Sequence, residues 1–585
     1  MKIQKSLIVV SFSFLLGSCA SVTPEQPRES QEEQAAEVVV EVAPEPKKRP
    51  KPHEYPVAPF QRDALYELLV AEVAGYRGEY ETALEKYMEM AEETRDAGVA
   101  ARATRLANYL KRSDLALKAA QIWADVDPDS IDAHRHSADQ LMRAGDLEGA
   151  VYHMEAVKNL GGLANFDVFA YRAANLDEAS RESLLNAISK LLEKHPADEQ
   201  LQFAKAVLLE QKGELEQALE LADRLLADKQ NKNVIILKVN ALKDLHRSDD
   251  AVAFLKDIIE GTSGDSRRLR LIFARLLFET RQLDKAREQY EFVLKQAPND
   301  GDVLLALAFI AMEQSNDTVA IGYLKQMIRW NRRVGEAHFY LGSIAEKNKD
   351  VPKAIREYRQ VGRGYEFLPA QSRIANLMVT QGRISEMRNY LANMRADNPE
   401  RANQLVMIEA RLLSDRGMLK EGMDLLDRSM EHDPENIDLL YFRAMTGQKF
   451  GFMDVLERDL KQIIDLDPQN SDAMNALGYT LADQTDRHEE ALQLIQRALA
   501  IKPDEAAFID SMGWVLYRLK KFDEALVYLR RALELFTNDE VAAHLGEVLW
   551  AIGEKTEARE VWQKALELKP DSEILNRVIK EFTGQ

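Results

Sequence analysis

Small residues return along this chain at a nearly fixed step. The ladder runs Ala83, Ala116, Ala150, Leu184, Ala218, Ala251, Ala286, Ala320, Ala354, Met387, Gly422, Leu456, Ala491, Ala525 and Ala558, in fourteen steps of 33 to 35 residues. A period of this size is the signature of a stacked repeat architecture and overrides any count of domains from length alone. Three further positions keep the same beat. Four residues after each rung, one turn on along a helix face, every residue from Tyr87 to Trp562 is apolar. Twelve residues after a rung stand Pro128, Pro196, Pro298, Pro399, Pro434, Pro468, Pro503 and Pro570; in the repeat region only Pro352 and Pro369 fall elsewhere. Proline is excluded from helix interiors, so this phase marks where a helix ends. Five residues before the rung, glycine stands at 78, 145, 213, 382, 417, 451 and 553, as a turn between two helices requires. The unit is a helix–turn–helix of about 34 residues. One such unit cannot bury its apolar face alone, so the pattern predicts an all-α solenoid with a continuous core and a concave groove.

The residues inside the unit resemble the tetratricopeptide repeat (TPR). Around Gly546 the chain reads Ala542, Leu545, Gly546, Leu549, Ala558, Trp562, Pro570. Around Gly342 it reads His338, Leu341, Gly342, Ala345, Ala354, Tyr358. Around Gly478 it reads Met474, Leu477, Gly478, Leu481, Ala491, Ile495, Pro503, with one inserted residue before Ala491. The resemblance implies a TPR α-solenoid, a right-handed superhelix of about fifteen units covering residues 60–570, with a capping helix within 571–585. It is weakest in the units on Leu184 and Ala251, where Arg172 and Val239 replace the glycine, and these two are expected to be bent or irregular. Ala119 and Ala120 compete for the phase of the Ala116 unit.

The amino terminus reads as an address. Lys2 and Lys5 precede the apolar run Leu7–Leu16, followed by Gly17, Ser18 and Cys19. A cationic start, a ten-residue apolar run and small residues mark a secretory signal; the run is shorter than the roughly 20 residues that span a bilayer. Leu16-Gly17-Ser18-Cys19 resembles the bacterial lipobox, which implies a signal peptide over 1–18, cleavage before Cys19 and acylation (palmitate among the chains) at Cys19. The competing reading is an ordinary secreted protein with an incidental cysteine. Cys19 is the only cysteine in the chain, and several acyl chains together give stable anchoring. With Ala20 and Ser21 next, the lipoprotein resemblance implies the outer membrane, facing the periplasm. Residues 19–59 hold eight of the 18 prolines and are rich in Glu, Gln and Lys, the composition of a disordered tether. Within it, the apolar cluster of Glu32–Val42 and the basic Lys47–Lys51 read either as docking peptides or as solvated linker.

Charge and composition remove whole classes of function. The formal net charge is −20, the wrong sign for gripping a nucleic-acid backbone. A single cysteine excludes a disulfide framework and a cysteine-ligated zinc or iron–sulfur site. The ten histidines are scattered. His134 and His136, two apart, point in different directions on a helix and cannot share a metal. Asp125–Asp129 imitates the start of a calcium loop but has Ser130 and His136 where Gly and Glu are needed. Gly362-Arg363-Gly364 lacks a third glycine and a preceding strand. No catalytic motif appears, and the repeats leave no stretch for a catalytic domain. The expectation is a non-enzyme without metal or cofactor.

In TPR arrays the first helix of each unit lines the groove. In the phase set by Gly513 and Gly546, that face carries Asp510, Trp514, Tyr517, Glu547 and Trp550, the candidate partner-binding residues. Exposed Trp and Tyr are common hot spots; the competing reading places Trp514 and Trp550 in the core between repeats. A full Lys/Asn/Arg set for a C-terminal carboxylate is absent, Asn475 standing alone. The whole chain resembles TPR lipoproteins that bind a periplasmic carboxyl-terminal processing protease. That resemblance implies an adaptor that promotes the serine protease and presents peptidoglycan cross-link hydrolases to it, so regulating the cell wall. The alternative is a structural bridge in envelope assembly or polysaccharide export.

Overall fold

The computed structural model describes residues 62–261 and 267–584, and among these it is helical throughout: thirty-one α-helices, two short 3₁₀ helices and no strand. The signal, lipobox and tether readings, Cys19 included, lie outside the described residues. The helices form fifteen helix–turn–helix units, one to each rung; in fourteen of them the two helices pack on each other as an antiparallel hairpin, the exception being the unit on Leu184, and a final helix, Glu573–Thr583, follows the last. The chain divides into two compact units, the first ending at Val126 and the second beginning at Asp127.

The first unit holds the hairpins on Ala83 and Ala116. Ala83, Ala116, Ala119 and Ala120 are all fully buried, so the competing phases of the Ala116 hairpin are satisfied together. The leading helix, Arg62–Tyr76, buries Ala64, Ala71 and Ala74 and leaves Leu65, Tyr66, Leu69, Val73 and Tyr76 exposed.

The second unit holds the other thirteen hairpins and the final helix. Every rung is buried, and so is every residue four positions on, from Met154 to Trp562. The rung sits early in the second helix of its hairpin and meets a small residue twelve positions earlier in the first helix. That partner is alanine in most hairpins (Ala138, Ala206, Ala274, Ala308, Ala375, Ala410, Ala444), each fully buried. In the Ala354, Ala525 and Ala558 hairpins it is Gly342, Gly513 and Gly546, and in the Ala491 hairpin, with its inserted residue, it is Gly478. A Cβ would come within 2.7 Å of the Tyr358 ring at Gly342, within 2.7 Å of Ile495 Cγ1 at Gly478 and within 2.5 Å of Leu529 Cγ at Gly513. At Gly546 it would fall inside the Trp562 indole. Glycine here is a notch into which the large residue four beyond the rung is seated.

The prolines end helices as their phase predicts. The second helices stop at Val126, Lys194, Gln296, Asp397, Met430, Leu466, Ile501 and Leu568, each just short of its proline. Pro352 and Pro369 occupy first turns, where no backbone donor is lost. The turn five before the rung is left-handed in thirteen of the fifteen hairpins. Seven carry glycine; the other six carry Lys111, His246, Arg281, Ser315, Lys349 and Lys520. A lysine from the end of the second helix reaches back to an acid at the start of the first in three hairpins: Lys229–Glu199 (3.0 Å), Lys502–Asp472 (2.9 Å) and Lys569–Asp539 (2.7 Å). Each charge complements its helix dipole, though exposed pairs of this kind contribute little.

The two units expected to be irregular behave differently. The Ala251 hairpin keeps two full helices, Lys232–Asp244 and Ser248–Gly261, with Val239 buried between them; a β-branched residue fits where the facing residue is alanine. The Leu184 hairpin does break. Its first helix, Phe166–Arg172, has seven residues and passes into the 3₁₀ turn Ala173–Asn175. Arg172 is exposed and paired with Asp139. The second helix starts early, at Glu178, because Asp177 caps it through the Ser180 N–H (2.9 Å). The short first helix packs chiefly on Glu199–Lys212 of the next hairpin, whose Gln211 donates to the Ala170 carbonyl at 2.9 Å.

Candidate functional site

The face with the densest polar and aromatic chemistry is built by three successive first helices and the final helix: Ser471–Gln484, Ala506–Arg518, Asp539–Ile552 and Glu573–Thr583. Asn470, Asn538 and Ser572 cap three of them by accepting from the backbone N–H three residues on. The first helices of neighbouring hairpins touch one another directly. The Tyr479 hydroxyl goes further. It donates to Glu540 Oε1 at 3.1 Å and lies 3.4 Å from His544 Nε2, 61 and 65 residues on. A side chain that reaches across the intervening hairpin to the one beyond identifies the side on which these helices converge, the inner face of this stretch.

Asp510 and His544 stand 34 residues apart, at equivalent places one repeat apart. The His544 Nδ1 lies 2.9 and 3.1 Å from the two Asp510 oxygens, and both side chains are almost fully buried. Burial alone would lower the His544 basicity. Asp510, Glu540 and Glu547 outweigh it, so the imidazolium is held above the usual histidine range. The Trp514 ring stacks on His544 at 4.2 Å and lies 5.2 Å from Tyr517. Trp514 is only 6% exposed, and its indole N–H has no acceptor among the described residues; nor has the buried Asn475 Oδ1, one turn before Tyr479, a donor. Glu547 is half-buried with no hydrogen bond or ion pair among the described residues. Burial pushes its carboxyl up to about 7, with Glu581 and Asp483 acting the same way and His544 and Arg577 opposing.

Of the five groove candidates, the structure brings Asp510, Trp514 and Tyr517 into one cluster, and the field of Glu547 reaches it through His544 and Tyr517. Asp510 and Trp514 are buried and face their neighbours. Trp550 stands apart. It stacks on Trp562 at 5.8 Å and meets Phe582 at 6.4 Å, with Lys555 and Arg559 over its ring at 5.0 and 4.9 Å. It packs the last hairpin against the final helix and is half-buried. His544, Tyr479 and Glu540 were not among the sequence candidates. The repeat itself could have supplied His544, since adding one period to Asp510 lands on it.

Elsewhere several buried charged and histidine side chains are paired within the fold, while Ser137 Oγ, Gln211 Oε1 and His488 Nε2 are buried without a partner among the described residues. His134 meets His153, not His136: the two Nδ1 atoms are 2.7 Å apart, and His134 Nε2 lies 2.9 Å from the Pro128 carbonyl. Buried Arg443 is clasped by Asp459 at 2.7 and 2.8 Å and by Asp427 at 2.6 Å, and buried Glu409 by Arg395 at 2.6 Å and by Arg388. Such pairs hold adjacent helices in register.

Comparison with known proteins agrees with the geometry. The tetratricopeptide repeat pattern matches residues 171–233, 273–330, 457–506 and 511–573. The TPR repeat-containing protein PA4667 of Pseudomonas aeruginosa is 40% identical over 581 residues, which cover 99% of this chain and 97% of that protein. Human tetratricopeptide repeat protein 7A is 26% identical over 311 residues, 50% of this chain and 35% of that one. Among solved structures, a thermophilic TPR protein of Thermus thermophilus is 25% identical, covers 32% of this chain and all of its own, and has a TM-score of 0.29. Naa15/Naa10 bound to HypK-THB is 12% identical, covers 89% of this chain and all of its own, and has a TM-score of 0.31. Helix–turn–helix units repeating at about 34 residues and a relative matched from end to end leave one assignment: the chain belongs to the tetratricopeptide repeat proteins, whose repeats are scaffolds for binding other proteins.

Proposed function

We propose that this chain is an outer-membrane lipoprotein adaptor. In this reading its repeats bind a periplasmic carboxyl-terminal processing serine protease, promote its activity and present peptidoglycan cross-link hydrolases to it. The observation that carries the reading is that the described residues are paired helices repeating at the TPR period in both units, an architecture that works as a scaffold for protein partners. The lipobox-like Leu16–Cys19 supplies the anchor and the proline-rich stretch before Pro59 supplies the leash. Anchoring raises the effective concentration of whatever the repeats hold, so many weak contacts act together. Catalysis is left to the partner; this chain works by positioning.

The test is recovery of partners on tagged full-length chain from detergent-solubilised envelopes, followed by proteolysis of a cell-wall hydrolase with and without the chain. Co-purification of a serine protease and faster hydrolase turnover are expected. No protease recovered, with hydrolase turnover unchanged, sinks the reading. Loss of polymer export on deletion, with hydrolase levels unaltered, would favour the bridging role instead.

A further inference from the structure

The inner face around His544 carries more negative charge than it neutralises. Asp483, Asp510, Glu540, Glu547 and Glu581 act on one small group of side chains, opposed by Arg518, Arg577 and His544. Asp510 is taken up by His544, and Glu540 by the Tyr479 hydroxyl. Glu547 is left half-buried and unpaired, on a helix face flanked by Tyr517 and His544. The same wall holds two unmet hydrogen-bonding atoms: the N–H of Trp514, a side chain more than nine-tenths buried, and the Asn475 Oδ1. Buried groups of this kind are costly unless something supplies the partner.

Resting on the adaptor reading above, we propose that this face binds an extended polypeptide segment carrying a lysine or arginine, with the cationic head against Glu547 and the neighbouring aromatic rings. A half-desolvated carboxylate forms a stronger bond with a cation than an exposed one does, and the face of the half-buried Tyr517 favours the same charge. A peptide also brings what a simple amine lacks, a carbonyl acceptor of the kind Trp514 is missing. Anionic lipid headgroups and nucleic acids carry the wrong charge for this wall.

The proposal has a proton signature. Glu547 faces His544 on its own helix, Asp483 on Ser471–Gln484, Tyr517 on Ala506–Arg518, and Arg577 and Glu581 on the final helix. With its carboxyl up at about 7, much of it is protonated at pH 6. A bound cation requires it ionised, so capture releases a proton and tightens as pH rises.

The experiment titrates full-length chain in detergent with the capped peptide acetyl-Gly-Lys-Lys-Lys-Gly-amide, by calorimetry and tryptophan fluorescence, at about pH 6 and about pH 8, with the all-glutamate counterpart as control. Expected are saturable binding at the higher pH, about tenfold weaker binding at the lower, and none by the control. Glu547→Gln keeps the shape and removes the charge. It should cut affinity about tenfold, the effect of one ion pair in a partly desolvated site, and abolish the pH difference, with its melting point unchanged or raised. No saturable binding at the higher pH, equal affinity for Glu547→Gln, or equal binding of the control overturns the inference. Recovery of the protease by a chain that ignores the lysine peptide leaves the adaptor standing and removes this site. Peptide binding without protease recovery does the reverse.

Discussion

In the hairpins on Ala525 and Ala558 the two helices approach at a glycine, and Leu529 and Trp562 fill the notch it leaves. In the hairpin on Leu184 the equivalent residue is Arg172; the first helix stops there, and its short remainder leans on the hairpin that follows. Leu184 and Ile188 are nonetheless as buried as their counterparts. The repeat therefore specifies burial of the second-helix stripe more strictly than the path of the first helix. Where the notch exists, the two helices are closely packed and the inner face beside them carries a dense cluster of side chains. Where it is lost, neighbouring hairpins supply the cover, as Gln211 does for Ala170.

The largest effect expected from this contrast is at Gly546. A side chain there must displace the Trp562 indole, which is 1% exposed and cannot retreat. Gly546→Leu should cost well over 3 kcal/mol locally through overpacking, whereas Arg172→Leu, at an exposed position, should change stability by less than about 1 kcal/mol. An array of repeats need not unfold in one step, so the comparison is best read by hydrogen exchange in Asp539–Leu568 and in Phe166–Lys194. Comparable losses in both would mean that the notch is not what separates the two regions.

A second contrast is electrostatic. Glu547 in the last hairpin and Glu210 in the hairpin after the irregular one are both pushed up to about 7 by burial, Glu210 with help from Asp244 and against a hydrogen bond from Asn240. Since burial penalises the ionised form, the fold holds these protons more tightly than the unfolded chain does. The resulting stability is fully present below about pH 4.5, the ordinary carboxyl value, and is lost as pH rises through about 7. His544, raised by Asp510, adds to the fall on the alkaline side. Replacing Glu547 with Gln should remove its share of this slope and stabilise the last hairpins near pH 8 by up to about 3 kcal/mol. Glu210→Gln should act in the same direction on the hairpin that holds it. Melting curves across this pH range check both; an unchanged slope in Glu547→Gln would show that the carboxyl is better hydrated than its position implies.

How much of this was legible in the sequence depends on the interaction. The rungs, the apolar residues four beyond them and the helix-ending prolines could be read because each repeats a local requirement in every unit. The early start of the second helix in the Leu184 hairpin is also local, and the Asp177–Ser180 cap was there to be found. The groove was harder. Face assignment placed Asp510, Trp514 and Tyr517 on one side and left Trp514 open between groove and core; its burial depends on His544 a full repeat away. Tyr479 was out of reach for a related reason: its partners lie two hairpins on, and their proximity follows from how tightly the inner face closes. Trp550 shared the phase of the groove yet was drawn into the packing of the final helix by Trp562 and Phe582.

The smallest effect returns to the turns and separates backbone geometry from packing. Lys520, five residues before Ala525, holds a left-handed φ of 63°, whereas Gly553, at the same phase before Ala558, has φ 99°. A side chain in that conformation crowds the following carbonyl, a strain of about 1–2 kcal/mol. Glycine relieves it but gives the unfolded chain more freedom, which offsets part of the gain. Lys520→Gly should therefore stabilise the Ala525 hairpin by about 0.5–1 kcal/mol, and Gly553→Ala should destabilise the Ala558 hairpin by a similar amount. Both turns have open space around the added or removed atoms, since a Cβ at Gly553 meets nothing within 4 Å and Lys520 is exposed. Any measured change in the melting point therefore reports the backbone alone. If Lys520→Gly instead loosened the hairpin, the lysine would have to be held by a contact that outweighs its strain, and the turn phase would no longer be a purely conformational part of the repeat.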